Sequence, residues 1–171
     1  DVSAGAVARL VAAGATAAAS PADVARASDV VVTMLPDSPD VHEVTTGPDG
    51  VFENDEPGLL YVDMSSIRPD VSRSIAATGR DRGVRVLDAP VSGGEAGAIE
   101  ASLSIMVGGE AADFEDALPV LQAVGKTIVH VGPAGAGQTV KAANQLIVAG
   151  NIELLAEALV FLEAYGVDTE A

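Results

Sequence analysis

Short apolar runs rich in β-branched residues alternate along this chain with segments whose apolar residues recur at helical spacing. Each run is bounded by turn-forming residues, a pattern that predicts strands buried on both faces of a parallel sheet. This alternation favours an α/β fold with helices on both sides of one sheet. The predicted strands are residues 29–36, 59–66, 84–91, 102–108 and 127–132, and the predicted helices are residues 2–13, a segment capped by Ser20, and residues 69–82, 110–124 and 137–165.

The last predicted helix, residues 137–165, differs from the others because its apolar character extends almost all the way round. Such a helix is expected in a helical bundle or a dimer interface, and Gly166 is expected to end it. At the other end of the chain, a helix precedes the first strand. We therefore predict a doubly wound, Rossmann-like parallel sheet that lacks its first strands, followed by the first long helix of an all-α C-terminal domain. The division is expected between residues 1–133 and residues 134–171.

Acidic residues outnumber basic residues by 25 to 9, which gives a formal net charge of −16. A surface of this charge repels nucleic-acid phosphates and anionic lipids, so we expect neither nucleic acid nor a membrane as a partner. The acidic residues are dispersed, and we interpret them as a solvated surface like that of proteins from salt-adapted organisms. An acidic face that binds a partner is the alternative.

The chain contains no Cys, which excludes disulfides, thiol catalysis and thiolate metal sites. His42 and His130 are too few and too far apart in sequence for a His-based metal site, so no metal is expected. The sequence shows no apolar run that reaches the about 18 residues of a membrane span and no basic-then-apolar leader. These features predict a soluble, cytoplasmic protein.

The ends of the first three predicted strands carry small, polar or turn-forming residues: 35–38, 65–66 and 90–94. In doubly wound folds ligands bind beyond the carboxyl ends of the strands. Hydroxyl and backbone N–H groups there are suited to hold a carboxylate or a ribose, and paired glycines let a ligand approach the backbone closely. Ordinary turns are the alternative, but three consecutive ends of this kind favour a binding site.

Lys141 lies on the long helix with amide side chains one turn away on each side, at Gln138, Asn144 and Gln145. Desolvation disfavours an ammonium ion, so a lysine among apolar neighbours is a candidate general acid and base. Asn144 is suited to orient a substrate hydroxyl. The alternative is a lysine that extends to solvent from the start of the helix, and spacing alone does not decide between the two.

Four motifs, taken in order, resemble the β-hydroxyacid dehydrogenase family. They are DMSSIRPD (63–70), DAPVSGGEAGA (88–98), LSIMVGG (103–109) and GAGQTVKAANQ (135–145). The resemblance covers essentially the whole chain. It implies an NAD(P)-dependent oxidoreductase that interconverts a small β-hydroxy acid and its semialdehyde.

The resemblance also implies a cofactor site for NAD or NADP. Leu35 and Pro36 match the family's dinucleotide contact, and Ser66 matches the residue that touches the nicotinamide side. The family's strand and G-x-G-x-x-G turn, which bind the pyrophosphate, do not occur before Asp29, so about 30 residues are expected upstream. Residues 1–133 are thus expected to be a partial dinucleotide-binding domain.

For the substrate, a small carboxylate, the resemblance implies that Lys141 is the catalytic acid and base and that Asn144 orients the substrate. Within the substrate site, the resemblance implies that Ser92, Gly93 and Gly94 form the family's loop that grips the substrate carboxylate. Gln145 favours tartronate semialdehyde and glycerate as the substrate pair, with 3-hydroxyisobutyrate as the alternative, and Asn144 disfavours 6-phosphogluconate.

We expect a homo-oligomer formed through the helical domain of the full-length protein. A non-catalytic oligomerisation module, or an inactive fragment, is the alternative of a different class.

Overall fold

The computed structural model of the chain describes residues 1–53 and 58–170, and strands and helices alternate along it. Ala171, the last residue of the predicted second segment, lies outside the described residues. The strands are β1 (Val30–Thr33), β2 (Leu60–Asp63), β3 (Arg85–Asp88), β4 (Val91–Ser92), β5 (Leu103–Gly108) and β6 (Gly125–Gly132). The helices are α1 (Ala4–Ala12), α2 (Pro21–Arg26), α3 (Ser38–Thr46), α4 (Pro69–Asp81), α5 (Gly94–Ile99), α6 (Ala111–Gln122) and α7 (Ala136–Ala164), with a 3-10 turn at Val51–Glu53.

The six strands form one sheet in the order β1-β2-β3-β5-β4, with β6 paired to β5. β1, β2 and β3 are parallel, whereas β5 runs antiparallel to both β3 and β4. The predicted doubly wound α/β class is confirmed, but the prediction of a wholly parallel sheet was wrong. The connection from β4 to β5 over α5 is shorter than the dozen or more residues that a parallel crossover needs, so β5 returns alongside β4.

The third predicted strand, residues 84–91, is two strands in the structure. β3 ends at Asp88 and β4 begins at Val91, with Ala89 and Pro90 between them. Pro90 has no N–H to donate to a ladder, although its carbonyl accepts a hydrogen bond from the Met106 N–H at 3.1 Å. β3 thus pairs with both β2 and β5, whereas β4, after Pro90, pairs with β5.

The five predicted helices are present, with ends within about two residues of the predicted positions. Ser20 caps α2 by accepting from the Asp23 N–H, and Pro21 is its first residue. Gly166 closes α7 as predicted: its N–H donates to the Glu163 carbonyl, and the Val167 N–H donates to the Leu162 carbonyl, the bond pattern of a Schellman motif. α3 and α5 were not predicted.

Both faces of the sheet are covered, and alternate residues of β2 point to opposite faces. Tyr61 packs edge to face on Phe52 in the core on one side, with ring centroids 5.4 Å apart. Leu60 and Val62 belong to the core on the other side, together with Leu87. This two-sided burial explains why the strand sequences are apolar without alternation.

α7 is buried only near its start, at Gly137 and Gln138, and its apolar side chains beyond that point are exposed in this chain. It is long and apolar enough, by length and composition alone, to cross a membrane, a property that core helices of soluble proteins share. The expectation that no segment reaches that length was therefore wrong. Asn144 and Glu153 interrupt the apolar run, but an 18-residue window remains sufficiently apolar on average.

Candidate functional site

The carboxyl ends of β1, β2 and β3 lie side by side at one edge of the sheet. Thr33 pairs with Asp63 and Asp63 pairs with Asp88 in the parallel register. The chain segments that follow these residues leave the sheet at the same edge, where doubly wound folds bind ligands. The segments predicted to contact the cofactor and the substrate therefore begin at this edge of the sheet.

The predicted cofactor residues lie at the ends of β1 and β2. The backbone N–H of Leu35 donates to Ser65 Oγ at 2.8 Å, which ties the two strand ends together. Ser65 is fully buried, whereas Pro36 and the neighbouring Ser66 are exposed. The structure thus brings Leu35, Pro36 and Ser66 to adjacent strand ends and leaves the latter two accessible.

Lys141 reaches from α7 to the substrate segment. Its Nζ donates a hydrogen bond of 2.8 Å to the backbone carbonyl of Val91, in a half-buried position. Val91 precedes Ser92, so the ammonium group lies beside the loop of Ser92, Gly93 and Gly94, which is predicted to grip the substrate carboxylate. The lysine side chain is therefore directed at the backbone after β3 and does not simply extend into solvent.

The loop after Ser92 turns at two glycines with positive φ, 136° at Gly93 and 61° at Gly94. L side chains rarely adopt the first of these backbone conformations. Both glycines are exposed, and no atom lies within 4 Å of a Cβ built on Gly94. The loop therefore presents open backbone next to Lys141.

Asn144 and Gln145 lie one turn further along α7. Asn144 is half-buried and Gln145 is exposed, and the Asn144 Nδ2 donates to Gln145 Oε1 at 3.1 Å. Among the described residues, neither amide forms a hydrogen bond to Lys141. The predicted polar stripe is therefore a shared face of the helix and not a connected network.

Two carboxylates at the strand ends were missed by the sequence reasoning. Asp88 accepts from the backbone N–H groups of Gly135 (2.6 Å) and Gln138 (2.8 Å), and so caps α7 from the end of β3. Asp63 accepts from the Thr33 hydroxyl at 2.9 Å and from the Ser65 N–H at 3.1 Å. A signal was present, because two predicted strands each place an Asp after a short apolar run.

Burial is the main influence on both carboxylates. It raises the pKa of Asp63, although the Ser65 side chain and N–H and the Thr33 hydroxyl act in the opposite direction. Burial also raises the pKa of Asp88, against hydrogen bonds from the Gln138 and Gly135 N–H groups, and the charge of Asp63 raises it further. Each carboxyl group therefore holds a proton more tightly than an exposed one does.

A doubly wound sheet with open strand ends and a following helix that reaches back to them is the architecture of a dinucleotide-binding domain. Residues 1–132 match the family model described as the NAD binding domain of 6-phosphogluconate dehydrogenase. Residues 135–171 match the model described as NAD-binding of NADP-dependent 3-hydroxyisobutyrate dehydrogenase. The chain belongs to the β-hydroxyacid dehydrogenase family.

Individual relatives agree with this family. The chain is 47% identical to a 2-hydroxy-3-oxopropionate reductase of Escherichia coli, over 93% of this chain and 54% of the relative. It is 43% identical to an NAD-dependent L-serine dehydrogenase of Pseudomonas aeruginosa, over 99% and 57%. A solved Mycobacterium tuberculosis 3-hydroxyisobutyrate dehydrogenase with L-serine matches with a TM-score of 0.90 and 37% identity, over 99% and 57%. The chain spans about half the length of the curated relatives it matches.

Proposed function

We propose that the protein containing this chain is an NAD(P)-dependent oxidoreductase that interconverts a small β-hydroxy acid and its semialdehyde. The observation that carries the proposal is the contact of Lys141 Nζ with the Val91 carbonyl, next to the glycine loop. A cation beside an exposed glycine loop suits a carboxylate substrate. In a chain with a formal net charge of −16, such a local positive site is needed to attract one.

The strand-end residues fit a dinucleotide. Ser66 offers an exposed hydroxyl at the end of β2, and Pro36 leaves an exposed surface at the end of β1. The Leu35 N–H donates to Ser65 Oγ, a hydrogen bond that ties the ends of β1 and β2 together. Leu35, Pro36 and Ser66 would hold NAD or NADP, and the nicotinamide supplies or accepts a hydride when it is bound.

Lys141 would handle the proton. In reduction, the Lys141 ammonium gives a proton to the carbonyl oxygen of the semialdehyde while the carbonyl carbon gains the hydride. In oxidation, the neutral amine removes the hydroxyl proton. The Ser92, Gly93 and Gly94 loop would grip the substrate carboxylate, and Asn144 would orient the reacting hydroxyl.

Tartronate semialdehyde is the proposed substrate, with 3-hydroxyisobutyrate as the alternative. The E. coli relative supports the first, and the M. tuberculosis structure supports the second. L-Serine appears in the description of two of the matched proteins and belongs in the same test. These molecules share a carboxylate and a hydroxyl or carbonyl on the β carbon, so Gln145, beside Asn144 on the outer part of the site, is the residue expected to discriminate among them.

The experiment is a kinetic assay of the full-length protein with each substrate and with NADH, NADPH and their oxidised forms. We expect Lys141→Ala to lower kcat by about 100-fold or more, because a positioned acid and base contributes that much. Lys126, the second lysine of the chain, is exposed on β6 and provides the matched control, Lys126→Ala. Full activity of Lys141→Ala, or no activity with any small hydroxy acid, would overturn the proposal.

Homo-oligomerisation through the helical part of the full-length protein is a further part of the proposal, as is a cytoplasmic location. The exposed apolar surface of α7 supports the proposed oligomerisation, since Leu146, Leu154 and Phe161 are all more than half exposed in this chain. Apolar patches of this kind mark association sites. Sedimentation of the full-length protein, with and without Leu154→Glu, measures whether this surface is used between subunits.

A further inference from the structure

Two buried polar side chains, Asp88 and Gln138, hold the first turn of α7 on the sheet. The proposed chemistry uses neither of them. We call this pair the α7 anchor. Gln138 is only 1% exposed and Asp88 only 3%.

Asp88 holds the backbone of the turn. Its two carboxylate oxygens accept from the N–H groups of Gly135 and Gln138, which have no partner within the helix. Hydrogen bonds to a carboxylate are about twice as strong as neutral ones, and a negative charge is favoured at a helix N-terminus. Asp88 therefore fixes α7 to the end of β3.

Gln138 holds the turn through its side chain. Its Nε2 donates to the Ser65 carbonyl at 2.7 Å, and its Oε1 accepts from the Ile67 N–H at 3.1 Å. These two backbone groups lie immediately before and after Ser66. One amide group thus joins α7 to both sides of the predicted nicotinamide contact.

Lys141 follows Gln138 by three residues, which is close to one turn of the helix. Because a helix is stiff over one turn, the α7 anchor sets where the Lys141 Nζ lies relative to Ser66 and Val91. A displacement of about 1 Å at a reacting group can lower a rate about 100-fold. The anchor is therefore placed to control the distance between proton donor and cofactor.

We propose that Asp88 and Gln138 are positioning residues, which hold Lys141 in register with Ser66 on one side and with the Ser92 loop on the other. The proposal rests on the proposed function, since it acts through Lys141. The competing explanation is that the anchor only stabilises the fold. The two explanations differ in whether its effect depends on Lys141.

The first test is a double-mutant cycle in the full-length protein. Gln138→Met keeps the side-chain length but removes both hydrogen bonds to the β2 end, and Asp88→Asn places an amide donor against a backbone N–H. Thr139→Val is the matched control, because Thr139 lies on the same turn but its hydroxyl donates to the carbonyl of Gly135, the N-cap of α7, and not to the sheet.

We expect each anchor variant to lower kcat by about 10- to 100-fold in the wild-type background, with a smaller change in KM for the cofactor. In the Lys141→Ala background the same substitutions should change the residual rate by less than about twofold, since the residue through which they act is gone. An equal fall in rate in both backgrounds would overturn the proposal and favour a purely structural role.

The second test does not depend on activity. The chain has two lysines, so the rate at which an amine reagent labels Lys141 relative to Lys126 can be read by peptide mass spectrometry. Loss of the anchor should raise this ratio about fivefold, the factor that matches one hydrogen bond of about 1 kcal/mol. Thr139→Val should leave it unchanged. An unchanged ratio in Gln138→Met and Asp88→Asn would contradict the proposal.

The two tests also separate this proposal from the proposed function. If Lys141→Ala is fully active, the proposed function fails and the positioning role fails with it. If Lys141→Ala is inactive but the anchor variants keep wild-type rates, the proposed function stands and the positioning role alone is overturned. Circular dichroism and urea unfolding identify any variant that fails to fold, and the remaining anchor variant then carries the test.

Discussion

Asp63 has one carboxylate oxygen, Oδ2, without a hydrogen-bond partner among the described residues, while Oδ1 accepts from Thr33 and Ser65. Burial raises its pKa, so the folded chain binds this proton more tightly than the unfolded chain does. By linkage, the free energy of unfolding falls as the pH rises from about 4 through the raised pKa of Asp63. The carboxylate thus favours the fold when it is protonated and opposes it when it is charged.

Asp63→Asn should remove this pH dependence, because asparagine keeps an acceptor for Thr33 and Ser65 but carries no charge. The stability of the variant relative to the wild type should increase as the pH rises from about 4, by at most about 1.4 kcal/mol per pH unit. Urea unfolding at a series of pH values measures the difference. Asp81→Asn, at an exposed carboxyl, is the matched control. Parallel curves for Asp63→Asn and the wild type would contradict the assignment.

At the scale of elements, α7 approaches the sheet closely at Gly137. A Cβ on Gly137 would overlap the Met106 carbonyl oxygen and lie 2.6 Å from the Asp88 carbonyl oxygen. Both of these are backbone atoms, which cannot rotate away from a methyl group as a side chain can. The absence of a side chain at this position is therefore what lets Asp88 reach the helix N-terminus.

Gly137→Ala and Gly150→Ala make the same change in the same helix with opposite expected results. Gly137→Ala should lower the free energy of unfolding by about 1–3 kcal/mol, because the methyl group forces α7 away from the sheet. Gly150 has open space around it, so Gly150→Ala should raise stability by up to about 1 kcal/mol through helix propensity. Urea unfolding of the two variants checks both. Equal effects of the two would show that packing at Gly137 is looser than described.

The elements that sequence patterns could predict are those with a strong local signal. Ser20 and Pro21 indicate the start of α2, and the apolar runs indicate the buried strands. α3 was missed because Ser38–Thr46 has few apolar residues, although Asp37 and Asp40 form a capping box at its start. The reversal of β5 has no local signal, because strand direction depends on where a connection returns and not on the strand's own residues.

The candidate site was predicted in part for a similar reason. Lys141 and the Ser92 loop were identified from local motifs, and the hydrogen bond to Val91 brings them together across 50 residues of sequence. The anchoring role of Asp88 could not be predicted, because its partners Gly135 and Gln138 lie 47 and 50 residues away. Such pairings follow from packing, which residue spacing does not encode.

At the scale of the whole molecule, few of the acidic residues form ion pairs in the described part of the chain. The pairs of Arg26 with Asp23, Arg68 with Asp70 and Arg85 with Asp116 are exposed and contribute little, and Arg85 also pairs with the buried Asp113. Most acidic residues in the described part of the chain therefore lack a cationic partner, and the formal net charge of the chain is −16. Mutual repulsion among these carboxylates opposes the compact state.

Salt should stabilise this chain. Raising NaCl from about 0.01 M to about 1 M shortens the screening length from about 30 Å to about 3 Å, which weakens the repulsion among surface carboxylates. We expect Tm, measured by circular dichroism, to rise over this range. The rise should be smaller near the isoelectric pH, where the net charge is close to zero. A Tm that falls with salt at neutral pH would contradict the interpretation of the acidic surface as salt-adapted.

The two hydrogen bonds that Asp88 accepts at the start of α7 also decide which ions that end of the helix can take up. Free helix N-termini bind phosphate or sulfate through their N–H groups. Here a carboxylate of the same chain already occupies those groups, and a tethered group competes at an effective concentration of millimolar or more. A dissolved anion would have to displace it, so the start of α7 is a poor site for anions from solution, and the proposed anionic substrate is expected at Lys141 and the glycine loop instead.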